Sequence, residues 1–219
     1  MFYVINLLDA DDLGQIADHA ASSLFTDGSA TAGATAVQRK RNEQAKGFDA
    51  SPPADLLRKR LGENTKFNMA AFPARLSPLM LSRYENDMAY GLHTDNAIMH
   101  PNRLRSDLSF TIFLSAPDCY EGGELSIRTG DAERNFKLQA GQMLLYPAGY
   151  MHQVKPVLTG SRLVAVGWVQ SLIADAQQRA ILHDLSFMKL LMKDEVMRNE
   201  AETLLELATS NLLRLWAKC

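Results

Sequence analysis

Three side chains in this sequence can bind a divalent metal together, and two of them are adjacent in the pattern. His93 and Asp95 stand two apart in Tyr90-Gly91-Leu92-His93-Thr94-Asp95-Asn96. On an extended strand such residues point to the same face, so one imidazole and one carboxylate reach the same ion. Two ligands hold a metal weakly. A third, His152, closes the segment Tyr146-Pro147-Ala148-Gly149-Tyr150-Met151-His152, and a returning antiparallel strand would set it beside the first pair. Two imidazoles and one carboxylate on one face of an ion leave its other positions open for a co-substrate and oxygen, a donor set suited to non-haem Fe(II). Zinc takes the same donors with water in the fourth position, which would give a hydrolase or isomerase instead.

Arg162 separates these alternatives. It lies ten positions beyond His152 and opens Arg162-Leu163-Val164-Ala165-Val166-Gly167-Trp168-Val169. Alternation puts Arg162, Val164, Val166 and Trp168 on one face. If that face looks inward, the arginine is a buried cation in an apolar row, which is costly without an anion. A 2-oxoacid supplies one, because it chelates the metal at one end and offers its far carboxylate to the guanidinium fork. The competing reading is a structural salt bridge. Zinc chemistry asks for no such arginine, and the chain has neither a His-Glu-x-x-His segment nor a cysteine cluster. Asp95 occupies the position that a halogenating site keeps open, so the set points to hydroxylation.

Other residues fall around this centre. Tyr84, nine before His93, could donate its hydroxyl to the same co-substrate carboxylate or simply pack in a strand. Asn96 could orient a ligand carboxylate from behind. Trp168 could line the substrate side of a cavity or belong to the core. His19 and His183 read as helix residues, and His100 as a solvent-facing residue of the loop Met99-His100-Pro101-Asn102. Glu124 is the one competing carboxylate, set aside because Asp95 is two residues from His93.

These side chains need strands to hold them. Segments 107–115, 124–128, 134–138, 142–146 and 162–170 are β-rich and separated by turn signals, as are 67–73 and 76–84. Such spacing predicts a sandwich or barrel. Residues 2–7 form a further strand, Asp9 caps a helix running to about Leu24, and Ser51-Pro52-Pro53 opens another through Leu61. Residues 26–47 are small and polar, then basic at Arg39-Lys40-Arg41, and read as a solvated loop or a lid over the site. After Ser171 the pattern becomes helical over 172–192 and 195–216, where Leu204, Leu205, Leu207, Ala208, Leu212, Leu215 and Trp216 mark a core or homodimer contact. The division expected is a catalytic domain over 1–171, its β core about 67–171, and a C-terminal helical segment over 172–219.

With 219 residues, 47% of them hydrophobic, the chain can bury one substantial core. Its 23 basic and 25 acidic residues are mixed and leave a net charge of -2, which disfavours nucleic acid as a partner. No run approaches the roughly 20 apolar residues that span a bilayer. The two cysteines, Cys119 and Cys219, and an N-terminus without signal-peptide features fit a reduced, cytoplasmic setting that keeps iron ferrous.

At these motifs the sequence resembles the PKHD-type hydroxylases, a bacterial branch of the Fe(II)/2-oxoglutarate dioxygenases related to prolyl 4-hydroxylases and associated with iron uptake. The resemblance spans nearly the whole chain. It includes Asp27-Gly28, Thr31-Ala32-Gly33, residues 40–44, Tyr90 to Asn96, Arg105-Ser106-Asp107-Leu108-Ser109, Gly122-Gly123-Glu124-Leu125, His152, Gly160-Ser161-Arg162 and Trp168-Val169-Gln170-Ser171. Phe25 departs from the pattern, which has tryptophan there. The resemblance implies an α+β chain with a double-stranded β-helix (jelly roll) core, N-terminal helices and a C-terminal helical segment. It implies His93, Asp95 and His152 as iron ligands, Arg162 as the 2-oxoglutarate anchor, and Tyr84 and Trp168 near co-substrate and cavity. It also brings a family association with L-ascorbate. The expected activity is O2-dependent hydroxylation of an unactivated C-H bond with release of succinate and CO2. The substrate is an amino-acid side chain, peptide or small metabolite. The alternative is a non-catalytic iron or 2-oxoglutarate sensor on the same fold.

Overall fold

The computed structural model describes residues 1–31, 37–100, 102–191 and 195–218. Ala32, Gly33, Pro101, Met192 and Cys219 lie outside the described residues. In chain order the elements are β1 (Tyr3–Asn6), α1 (Ala10–Ser22), β2 (Phe25–Asp27), β3 (Lys40–Arg41), β4 (Glu43–Ala45), α2 (Pro52–Glu63), α3 (Thr65–Ala71), β5 (Pro73–Leu76), β6 (Met80–Tyr84) and β7 (Ala89–His93). There follow β8 (Ile98–Met99), β9 (Leu104–Arg105), β10 (Leu108–Phe113), β11 (Tyr120–Gly122), β12 (Leu125–Thr129), β13 (Ala132–Phe136), β14 (Gln142–Pro147), β15 (His152–Val154), β16 (Val157–Gly160), β17 (Arg162–Ser171), α4 (Ala176–Leu191) and α5 (Glu195–Trp216).

The N-terminal helices start where the sequence places their caps. Asp9 accepts from the Asp12 amide at 2.9 Å, and Ser51 caps α2 with proline in its first turn. Asp12, 1% exposed, is held by Arg60 of α2, whose Nε and Nη2 donate at 2.8 and 2.9 Å. One element differs from expectation. Residues 67–73 read as a strand, yet Thr65–Ala71 is helical: Asn64 Oδ1 accepts from the Phe67 amide at 2.9 Å, and Phe67, Ala70 and Ala71 share one buried face. A short apolar run does not discriminate helix from strand, and here the cap and the core decide. Phe72 leaves the helix at φ 43°, so the β core begins at Pro73.

The jelly roll consists of two antiparallel sheets. The larger runs β1-β14-β10-β17-β6-β4-β2, with β5 beside β17, and the smaller runs β13-β12-β15-β7-β3. Helices α1 to α3 cover the outer face of the larger sheet through Ile16, Leu57, Leu61 and Phe67, which pack with Phe110, Ile112 and Leu145. A second cluster fills the space between the sheets with Tyr84, Phe113, Leu125, Tyr146, Val154 and Val164. Strand β10 shows how alternation serves both. All six of its residues are buried: Leu108, Phe110 and Ile112 face the helices, while Ser109 and Thr111 face a cavity between the sheets. Gly167 on the neighbouring β17 leaves room for Phe110, since a Cβ there would lie 2.6 Å from Phe110 Cζ and force the ring to shift.

The described residues of the stretch 26–47 carry more regular structure than their composition suggests. Strands β2, β3 and β4 belong to it, because β3 pairs with β7 and β4 with β6, and pairing to a formed sheet outweighs a weak local propensity. The C-terminal helices form as expected, α4 starting after Asp175, whose Oδ1 accepts from the amides of Gln177 and Gln178 at 2.9 Å. Leu204, Leu207 and Leu215 are solvent-exposed on α5 instead of joining the core. Among the described residues no helix is long and apolar enough to cross a membrane.

Candidate metal and co-substrate site

His93 ends β7 and His152 begins β15, and the two strands pair with these residues directly opposite each other. Their rings lie 4.3 Å apart between centroids. Asp95 joins them from just beyond the strand, and one ligand atom from each of His93, Asp95 and His152 lies within 4.8 Å of the other two. The same-face spacing expected from a continuous strand is thus met by a chain that has already left β7, Thr94 turning out to solvent. His152 Nε2 is 3.7 Å from Asp95 Oδ1.

Backbone carbonyls orient both imidazoles. His93 Nδ1 meets the Gly91 oxygen at 2.8 Å and His152 Nδ1 meets the Tyr150 oxygen at 2.9 Å. A carbonyl only accepts, so each Nδ1 carries the proton and each Nε2 keeps a lone pair for a metal. Tyr90 stacks on His93 at 3.7 Å and Tyr146 stands edge-on to His152 at 5.4 Å. Burial, with His152 beside it, pulls the His93 pKa down to about 3, which keeps the imidazole neutral, the form that can ligate a metal. Burial pushes the Asp95 carboxyl up. Its Oδ2 is buried without a hydrogen-bond partner, the condition of an oxygen awaiting a cation. The donor set and that orphaned oxygen fit a divalent metal.

Arg162 lies where the sequence pattern sends it. It opens β17 opposite Tyr84 of β6, and Arg162, Val164, Val166 and Trp168 all line the cavity that holds the three ligands. At 1% exposure it is among the largest fully buried side chains, and its Nε and Nη1 have no hydrogen-bond partner. No ion pair to Arg162 occurs among the described residues, so the structural salt bridge is not what holds it. Its Cζ sits 5.1 Å from the Tyr84 ring centroid and 5.5 Å from that of Phe113. Burial lowers its pKa, while Tyr84 and Tyr120 oppose that shift. The turn Glu121-Gly122-Gly123-Glu124 supports its stem: at Gly123, φ 68°, a Cβ would come within 3.0 Å of Arg162 Cδ. Two unpartnered N–H groups at the end of a polar cavity fit a carboxylate.

The other candidates sort by position. Tyr84 is 4% exposed beside Arg162, and burial raises its pKa. Trp168 and Ser109 face the cavity beside Asp95 and oppose the upward push of burial on its carboxyl. Asn96 lines the exposed side of the cavity, its carbonyl accepting from the Ser106 hydroxyl. His100 is exposed, His19 packs near Phe48, His183 lies against Tyr3, and Glu124 stays outside the metal cluster. Lys40, Asn42, Gln44, Ser109, Thr111 and Tyr146 also line the cavity, a position that the sequence reading assigns to none of them. For Ser109 and Thr111 the signal is the period-two polarity of Leu108-Ser109-Phe110-Thr111; residues 40–44 are polar throughout and carry no such alternation.

Known proteins resemble this chain in sequence and in fold. Residues 79–170 match the model of the 2OG-Fe(II) oxygenase superfamily. A PKHD-type hydroxylase of Gloeothece citriformis is 41% identical over 219 residues, covering all of both chains, and one of a Picosynechococcus is 43% identical over 223 residues with the same coverage. Among solved structures, a Pseudomonas putida prolyl-4-hydroxylase superposes with a TM-score of 0.52 at 18% identity, over 78% of this chain and 92% of its own. HygX from Streptomyces hygroscopicus, with nickel and 2-oxoglutarate bound, gives 0.59 at 16% identity over 78% and 84%. These two likenesses concern the fold.

Proposed function

Since the chain belongs to the PKHD-type hydroxylases of the 2OG-Fe(II) oxygenase superfamily, we propose that His93, Asp95 and His152 hold its Fe(II) and that Arg162, with Tyr84, seats 2-oxoglutarate. The reaction replaces a C–H bond of an amino-acid side chain, peptide or small metabolite by C–OH. One atom of O2 enters the product and the other enters succinate, as 2-oxoglutarate loses CO2. The carrying observation is the convergence, in one cavity, of three metal-competent ligand atoms within 4.8 Å and a buried guanidinium with two unpartnered N–H groups.

Bound iron supplies the oxygen-activating redox chemistry; the protein supplies position and environment. His93 and His152 present Nε2 because Gly91 and Tyr150 hold their other nitrogens. Arg162 fixes the far end of the co-substrate in a water-poor pocket, where a charge-assisted pair is strong. Tyr84 adds a hydroxyl at that end. Val164, Val166 and Leu125 keep water from the reacting region. Trp168 and Asn96, on the side of the cavity nearer Asp95 and the solvent, stand where the substrate enters.

The test is succinate formation from 2-oxoglutarate, with Fe(II) and O2 supplied. His93→Ala and Asp95→Ala are expected to abolish it, and anaerobic addition of Fe(II) and 2-oxoglutarate to the wild type should produce a visible charge-transfer absorption that oxygen consumes. Full turnover in either variant would sink the assignment. A complex that forms and is not consumed would favour a sensor.

A further inference from the structure

The cavity changes character from one end to the other, and two paired strands record the change. On β17 the inward residues run Arg162, Val164, Val166, Trp168, and β6 sets Tyr84, Ser82 and Met80 opposite the first three. Arg162 and Val164 are each 1% exposed, Tyr84 4% and Ser82 2%, whereas Met80, Val166 and Trp168 are only half-buried. The cavity is therefore closed at Arg162 and open at Trp168. Asp95 stands beside Trp168 and Ser109, which pair across β17 and β10, so the metal-ligand atoms lie within reach of the open end.

A further side chain reaches this end from a separate piece of backbone. Strands β8 and β9 pair as a short hairpin in which Met99 lines the cavity while its neighbour Ile98 is 45% exposed. Contacts on both sides pin the hairpin beside the larger sheet. Arg75 Nη2 donates to the Asn102 oxygen at 3.0 Å, the Arg105 amide donates to Gln170 Oε1 at 3.2 Å, and the Arg105 guanidinium holds Asp107 at 2.7 and 2.9 Å.

The open end is apolar. Met80 and Met99 are unbranched thioethers that adapt to what they touch, and Val166 and Trp168 add stiffer apolar surface. Asp95 is the one carboxylate lining the cavity among the described residues, and in the loaded site its charge belongs to the metal. A cationic side chain entering here would lose its water and gain no counter-ion. An anionic one would find Arg162 engaged by the co-substrate and Lys40 already served by Asp27. An apolar group loses nothing on entry and gains by leaving water.

We propose that Met80, Met99, Val166 and Trp168 receive an uncharged aliphatic group of the molecule to be hydroxylated. This rests on the hydroxylase reading above and narrows its substrate class: side chains like those of leucine and proline suit the pocket, and those of lysine and glutamate do not.

The experiment uses the intact chain loaded with 2-oxoglutarate and Zn(II), which takes the same donors without reacting with oxygen. N-acetyl N-methylamides of leucine, proline, lysine and glutamate are titrated in, so that only the side chain varies. Heat gives the affinities, and isotope-labelled methionine methyl signals, assigned with Met80→Leu and Met99→Leu, report where the probe sits. The tighter of leucine and proline should bind at least about tenfold more tightly than lysine or glutamate, with the Met80 and Met99 methyl signals both shifting. Met99→Glu should reverse the order of leucine and lysine, which a merely structural methionine does not do. Lysine or glutamate within about threefold of leucine and proline, no binding of any probe, or binding that leaves either methyl unmoved would overturn the proposal. Should Met99→Glu fail to take up 2-oxoglutarate, Met99→Ala decides: leucine and proline should weaken at least about threefold, and unchanged affinity refutes the pocket. A wild type that takes up neither zinc nor 2-oxoglutarate counts against the hydroxylase reading, and the same titration of the unloaded chain then decides for the pocket.

Discussion

Replacing Arg162 by methionine should weaken co-substrate binding severely while leaving the ligand-free chain as stable as before, or more so. Two of its buried nitrogens have no partner, and each such group costs about 1–3 kcal/mol. Against this stand its contacts with the rings of Tyr84 and Phe113, at 5.1 and 5.5 Å, each contributing about 0.5–2 kcal/mol. Methionine is unbranched and fills irregular space, so much of the stem's packing survives. The net change in stability is then within about 2 kcal/mol, leaning towards stabilisation, because a desolvated cation without an ion pair is removed. At about 2–4 °C per kcal/mol for a chain of this size, the melting temperature moves by less than about 8 °C. The bound state loses a bidentate, charge-assisted contact of about 2–4 kcal/mol. That corresponds to roughly 30- to 1000-fold weaker 2-oxoglutarate. Thermal unfolding without ligand and anaerobic titration calorimetry with 2-oxoglutarate measure the two effects separately. A variant binding 2-oxoglutarate within about threefold of wild type would refute the anchor. One melting far below wild type without ligand would show that Arg162 is held by the fold itself.

Two further substitutions test the scaffold. Gly123→Ala puts a Cβ 2.8 Å from Val157 Cγ2 and 3.0 Å from Arg162 Cδ at a φ of 68°; it should cost about 1–3 kcal/mol in denaturant unfolding and raise the KM for 2-oxoglutarate more than it lowers kcat. Asp12→Asn loses the charged contact with Arg60, which holds the Asp12 carboxyl below its usual value of 3.8. Because Arg60 is a third exposed, the expected loss is about 1–2 kcal/mol. A depressed carboxylate pKa stabilises above the unfolded value and ceases to do so as pH falls through the folded value. The gap between wild type and Asp12→Asn in urea midpoint should therefore hold from neutral pH to about 5 and close below about 4; a gap independent of pH would remove the ion pair from the explanation.

Much of the site was legible before the fold. His93, Asp95 and His152 carry chemistry that few residue types share, and the period of two along Arg162 to Trp168 is a local property of any strand. Caps at Asp9 and Ser51 were legible for the same reason, being satisfied within one turn. The short apolar run at Phe67 was not, because helix and strand bury it equally well until Asn64 caps it and Phe110 packs against it, 6.4 Å away between ring centroids. Lys40 and Asn42 were legible as polar residues of a stretch that resembles the family, with nothing to show that they are buried. Their burial arises when β3 joins one sheet and β4 the other, pairings 38 to 50 residues apart in sequence that loop composition does not encode.

By itself, then, the sequence determined which atoms could ligate a metal, which arginine could anchor an acid, and that strands would carry them, because these depend on side-chain chemistry and local period. Tertiary structure alone decided that the ligand atoms converge, that Asp95 reaches them from beyond the end of β7, and that Arg162 is buried without an ionic partner of its own. It also decided that a lysine from an apparently solvated loop faces the cavity. Each of those depends on which distant strands pair and in what register, and register is set by the packing of the whole core.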